Sequence, residues 1–153
     1  MKAKFINPFL TASIKLFQDY LGVKLTNAKP FLLEDPQDLK EVSAIIGLAG
    51  ETTGAVVLSF SKDTAVKLVS KLSKHHYQAL GKEVIDGVGE LVNILAGNAK
   101  KDLTDFRVSI SLPGVITGKK YKINWPKGVP VIAIPFKSEL GDFSVNVSLK
   151  DAD

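Results

Sequence analysis

The chain has no cysteine, which excludes disulfides, thiolate nucleophiles and cysteine-ligated metals. It has two histidines, and they are neighbours, His75-His76, with no third ligand type placed near them. Such a pair reads as a solvated helix end rather than a metal site. No apolar run approaches the ~20 residues of a membrane helix. The N-terminus, Met1-Lys2-Ala3-Lys4-Phe5-Ile6-Asn7-Pro8, lacks the apolar segment and small-residue cleavage site of a signal peptide. A cytoplasmic protein without membrane insertion is therefore expected. Arginine is almost missing, so the net charge of +4 rests on lysines spread along the chain, with Arg107 the single guanidinium. Aromatic–basic interleaving, helix-turn-helix spacing and zinc pairs are all lacking, so a solvated lysine surface is favoured over nucleic-acid binding. The same surface would suit an acidic protein partner.

What is present is ordinary globular composition, 45% hydrophobic and 24% charged. At 153 residues it fits a single domain, 1–153, with a substantial core. Asn7 reads as an N-cap with Pro8 at the first helical position, and apolar spacing carries a helix over 8–21 to a stop at Gly22. Residues 23–33 read as a strand, 34–38 as a loop, and 42–48 and 55–60 as two strands around a glycine turn. A short helix follows at 62–76, then a long one at 81–104. Strand 107–112, a Pro113-Gly114 turn, a small hairpin arm at 115–123 and a closing antiparallel pair at 129–136 and 143–149 complete the chain. The prolines Pro130 and Pro135 place that closing pair near a sheet edge.

The order contains a repeat. Helix, strand, strand, glycine turn and strand occur at 8–60 and again at 83–149. Gly54, Val56, Leu58 and Phe60 align with Gly141, Phe143, Val145 and Val147, and Glu51 and Glu139 precede the two turn glycines. The expected fold class is α/β (α+β): two pseudo-repeated halves sharing a mostly antiparallel sheet, with long helices packed on it.

The long helix holds the chemistry. Ile85, Val88, Val92, Leu95, Ala99 and Leu103 form its apolar face, while Asp86, Glu90, Asn93, Gly97 and Lys100 form one stripe opposite. Glycine inside a helix costs about 1 kcal/mol relative to alanine, so Gly87, Gly89 and Gly97 suggest that another backbone comes close to this face. Rival constellations fail. Gly87-Val88-Gly89 does not complete a dinucleotide fingerprint, there is no Walker loop, and the serines lack a nucleophile elbow. Asp86 with Glu90 is the sole same-face acid pair of the helix, and such pairs are usually surface.

The string Asp86-x-x-x-Glu90-x-x-Asn93, followed by Ile94-Leu95-Ala96-Gly97-Asn98-Ala99-Lys100, resembles the signature of the CheC–CheX–FliY family of chemotaxis phosphatases. The opening Asn7-Pro8-Phe9-Leu10 is similar to the start of the CheX branch. The resemblance implies an enzyme that hydrolyses the aspartyl phosphate of a phosphorylated CheY-like response regulator. It assigns the catalytic pair to Glu90, which anchors the receiver through its active-site lysine, and Asn93, which orients the attacking water. Asp86, Gly89, Gly97 and Lys100 become partner contacts. The resemblance also implies a homodimer, no cofactor of its own, and Mg²⁺ held by the partner. The first helix lacks an acid three residues before Asn7, which agrees with a single-motif branch. The family pattern has a proline after the amide, and Pro113 is the candidate, somewhat nearer than expected. Two rivals are a module that docks on a receiver or the flagellar switch without hydrolysis, and a nucleic-acid-binding basic domain. From spacing alone, Glu90 could serve a structural role, capping or pairing with Lys101 or a neighbouring strand, with Asn93 merely solvated.

Overall fold

A computed structural model describes residues 3–103, 107–119 and 121–150. Helix α1 spans Ala3–Leu16 and passes into a π-helical turn at Phe17–Leu21, which Gly22 ends in the left-handed conformation. The expected start at Asn7-Pro8 is therefore displaced. Phe5 and Ile6 are buried and extend the apolar stripe upstream, and the bond Pro8 cannot donate is the one to the Lys4 carbonyl in the first turn. Two short strands follow, β1 (Thr26–Asn27) and β2 (Phe31–Leu32), where one strand over 23–33 was expected. Then come β3 (Val42–Gly50), β4 (Gly54–Phe60), α2 (Lys62–Ser73) and α3 (Lys82–Lys101). Strands β5 (Val108–Ile110), β6 (Gly114–Thr117), β7 (Ile132–Lys137) and β8 (Phe143–Leu149) complete the chain. The predicted end of the long helix at 104 lies outside the described residues.

The sheet is antiparallel throughout, in the order β1-β7-β8-β4-β3-β5, with β2 also on β7 and β6 also on β3. Two expectations change here. The closing pair is not an edge, since β8 lies at the centre against β4, and β7 is covered by β1 and β2. The arm at 115–123 is not a hairpin either, because β6 returns to β3 and continues the line of β5. Between Thr117 and β7 the described residues form no helix or strand. Tyr121 bonds Ser43 Oγ (2.6 Å) and the Lys40 carbonyl, Gln37 and Ile123 exchange two hydrogen bonds (3.0 and 2.8 Å), and Trp125 Nε1 donates to the Pro36 carbonyl (2.9 Å). Burial pushes the Tyr121 hydroxyl above the usual phenol value, partly offset by the Ser43 bond.

The repeat is present, and its halves are interleaved. The strands that end each half, β4 and β8, pair along the middle, with the equivalent residues Leu58 and Val145 directly opposite each other. Each half lends its first strands to the other: β1 and β2 extend β7, and β5 and β6 extend β3. The two extensions share a one-residue bulge. Ser111, Leu112 and Pro113 face only Ile46 and Gly47, and Ala28, Lys29 and Pro30 face only Ile134 and Pro135. A bulged strand bends and re-aims its side chains, and proline is tolerated there because no ladder bond is lost. α1 packs on α3, and both lie against the sheet. With Asn7 aligned on Asn93, Phe5, Ile6, Phe9, Ser13 and Phe17 of the first helix and its π turn correspond to Leu91, Val92, Leu95, Ala99 and Leu103 of the second half, and all ten are buried.

Candidate functional site

Helix α3 begins without a side-chain cap at Gly81 and carries Glu83 in its first turn and Lys100 and Lys101 in its last, an arrangement that suits the helix dipole. Its buried face is wider than the apolar spacing implied, because Val84, Gly87, Gly89, Leu91 and Ala96 join Val88, Val92, Leu95 and Ala99. Ile85, expected among them, is only half-buried.

The opposite stripe lies as expected, with Asp86, Glu90, Asn93 and Lys100 exposed and Gly97 half-buried. Its N-terminal half forms one wall of an open groove of about 500 Å³, to which Ile85, Asp86, Gly89, Glu90 and Asn93 contribute. The other wall is the bulge between β5 and β6: Leu112, Pro113 and, just beyond, Val115. The groove thus has a polar side with an acid and an amide one turn apart, and an apolar side. Among the described residues, no hydrogen bond or ion pair engages the side chains of Asp86, Glu90 or Asn93. The pairing considered for Glu90, with Lys101 or a strand, is thus not realised, and the side chains of Glu90 and Asn93 both face solvent.

The glycines divide by role. A Cβ at Gly87 would stand 2.5 Å from Val69 Cγ1, so Gly87 lets α2 pack against α3 and gives no room to a partner. Gly89 is buried under the bulge, where a Cβ would touch Val115 at 3.5 Å and Pro113 at 3.8 Å. Gly97 faces open space and, with Lys100, continues the stripe beyond the groove. Pro113, expected to turn the chain with Gly114 and to be the proline of the family pattern, instead lies in the bulge, with Gly114 already opening β6, and reaches the groove. Leu112, Val115 and Ile85 are groove residues that sequence reading does not find. The available signal is the break in strand alternation at Leu112-Pro113, which marks a bulge.

Among the described residues no group of three or more histidines, aspartates and glutamates is placed to hold a metal ion. His75 instead packs on Tyr77, their ring centroids 4.6 Å apart, just past the left-handed cap Lys74 that ends α2. No described helix is long and apolar enough to cross a membrane.

Residues 42–137, well over half the chain, match the family described as Chemotaxis phosphatase CheX. The chain belongs to this family. It is 28% identical over 153 residues to the CheY-P phosphatase CheX of Thermotoga maritima, covering 98% of each. A crystal structure of the chemotaxis protein CheX from Desulfovibrio desulfuricans superposes with a TM-score of 0.87 at 28% identity, over 95% of this chain and 99% of that one. The CheX of a CheX–CheY–BeF₃–Mg²⁺ complex from Borrelia burgdorferi superposes with a TM-score of 0.83 at 29% identity, over 96% and 98%. The fold class expected from the sequence, a mixed α/β domain with an antiparallel sheet, is the one these family members have.

Proposed function

We propose that the whole chain acts as one CheX-type domain that hydrolyses the aspartyl phosphate of a CheY-like receiver, with Glu90 and Asn93 as its working pair. The observation that carries this reading is the groove itself, in which the acid and the amide stand exposed, side by side and unengaged by their own chain.

The chemistry follows from the two side chains. Transfer of a phosphoryl group to water passes through a loose transition state, so positioning and electrostatics supply most of the catalysis. The carboxamide of Asn93 is no base at neutral pH, but its carbonyl accepts a bond from the attacking water while its NH₂ donates one. Inserted over the phosphoaspartate, it holds that water in line with phosphorus. Such orientation can remove several kcal/mol from the barrier. Glu90 lies one turn away on the same stripe, where it pairs with a cation beside the receiver's phosphorylation site and sets the register of the insertion. Asp86 and Gly89 adjoin the incoming surface, and Gly97 and Lys100 meet it further along. Magnesium belongs to the receiver in this reading, which the CheX–CheY–BeF₃–Mg²⁺ complex from Borrelia burgdorferi supports by containing the ion together with both proteins. A homodimer and a cytoplasmic location are part of the same proposal.

The test is the lifetime of the phosphate on a CheY-type receiver. Wild-type protein is expected to shorten it. Asn93→Ala should slow turnover at least about 100-fold, the cost of losing the oriented water, while binding to the beryllofluoride-loaded receiver persists. Equal rates for wild type and Asn93→Ala would remove the catalytic role of Asn93, and a wild-type protein that binds the receiver without hastening phosphate loss would be a binding module.

A further inference from the structure

We propose that Leu112 is an apolar docking residue of this site, which seats on the receiver and sets affinity while Asn93 sets turnover; the inference rests on the receiver-phosphatase reading above. Leu112 is 90% exposed, while the next most exposed large hydrophobic residues among those described, Leu32, Tyr20 and Phe31, lie between 51% and 56%. A lone exposed leucine would need no explanation. This one stands on the rim of the groove that holds Glu90 and Asn93, beside Pro113 and across from Ile85.

Its exposure is built in. Leu112 occupies the bulge, where the extra residue turns it away from the sheet. The base of the bulge is fastened at Ser111, whose N–H donates to the Gly47 carbonyl (2.9 Å) while its Oγ accepts from the Gly47 N–H (2.9 Å). The same Oγ donates to the Leu112 carbonyl (2.9 Å). The leucine is therefore held out on a fastened backbone. A backbone held in that way has little freedom left to lose on binding, which favours affinity.

The occupant is fixed by position. A protein whose phosphoaspartate meets Asn93 must lay the surface around that residue along the groove, against the wall that Leu112 and Pro113 form. In open α/β domains of the receiver type, ligand sites are ringed by the loops at the carboxyl ends of the strands. One of those loops is the surface that covers Leu112. The pseudo-repeat supplies an internal comparison. The first half has the same bulge, but Lys29 stands where the second half has Leu112, and Lys4 stands where it has Glu90. The half with the acid also has the apolar bulge residue, and the half without it has lysine at both places. An anchor that belonged to the fold would be expected in both halves.

The experiment compares Leu112→Ser and Leu112→Met with wild type in steady-state dephosphorylation of a CheY-type receiver, and in binding to the same receiver loaded with beryllofluoride and Mg²⁺. Leu112→Ser is expected to raise KM and Kd about tenfold, or ~1.4 kcal/mol, with turnover within about twofold. Leu112→Met should restore most of the affinity. The loss should persist in about 0.5 M salt, where a charge contact fades. A Leu112→Ser protein with KM and Kd within about twofold of wild type overturns the proposal, as does a loss confined to turnover. If wild type binds the loaded receiver without hastening phosphate loss, the phosphatase reading falls, and the Kd comparison still decides the docking role of Leu112.

Discussion

In the proposed mechanism Asn93 serves because an amide is both donor and acceptor and stays neutral. A carboxylate there would repel the phosphate and could only accept. In the same proposal Glu90 contributes charge, and charge is the part of an interface that salt can weaken. Glu90→Gln keeps the shape and removes the charge, so it should raise KM about tenfold at low ionic strength. The gap to wild type should close as salt shortens the screening length to a few ångströms. A salt titration of KM for the two proteins checks this, and a constant gap would show that Glu90 acts through hydrogen bonding alone. The residue scale also explains what was legible in the sequence. Glu90 and Asn93 are one turn apart on a helix, and helical geometry alone puts them on one face. The partner across the groove was not legible in that way, because Leu112 comes from another element.

At the scale of elements, α3 has two faces with different demands on its glycines. Gly87 sits under Val69 of α2, with Val69 Cγ1, Cγ2 and Cβ at 2.5, 2.9 and 3.2 Å from a Cβ there. No single rotamer change of Val69 removes all three clashes. Gly87→Ala should therefore lose about 1–2 kcal/mol net of its better helix propensity, a fall in Tm of roughly 2–8 °C. Gly97 has open space around its Cβ position, so Gly97→Ala should gain about 0.5–1 kcal/mol. Thermal unfolding of the two variants side by side separates packing from propensity, and a fall for both would show that the helix tolerates neither. The sequence marked both glycines as unusual, but it could not say which one was pressed by the protein's own α2. Sequence spacing describes one helix at a time, and the clash is between two.

For the whole molecule, the two halves are held together by strand exchange and by one aromatic cluster. Phe143 of β8 stacks on Phe17 at 4.7 Å and on Phe136 at 5.3 Å, and tilts against Phe60 at 5.3 Å. Phe17 and Phe60 belong to the first half, Phe136 and Phe143 to the second. Phe143→Ala should cost about 3–5 kcal/mol, a large fraction of the roughly 5–15 kcal/mol that stabilises a domain. Because the cluster spans both halves, the denaturant midpoint should shift as one transition with an unchanged m value. Two separated transitions would instead mean that the halves fold independently.

Local chemistry was enough to establish the class of the fold, the long helix, the acid–amide pair and the presence of a repeat. Periodicity, turn glycines and helical spacing all act within a few residues, and a single chain displays them directly. Even there, strand and helix ends moved where long-range packing overrode the local signal, as at Phe5 and Ile6 ahead of Pro8. Only the tertiary structure decided that the halves exchange strands, that the closing pair sits inside the sheet, and that the bulge carries Leu112 and Pro113 to the groove. Those outcomes depend on which strands pair and in which register. A one-residue shift in register changes the face of every side chain beyond it, and here that one residue is what sets an apolar wall opposite Glu90 and Asn93 of α3.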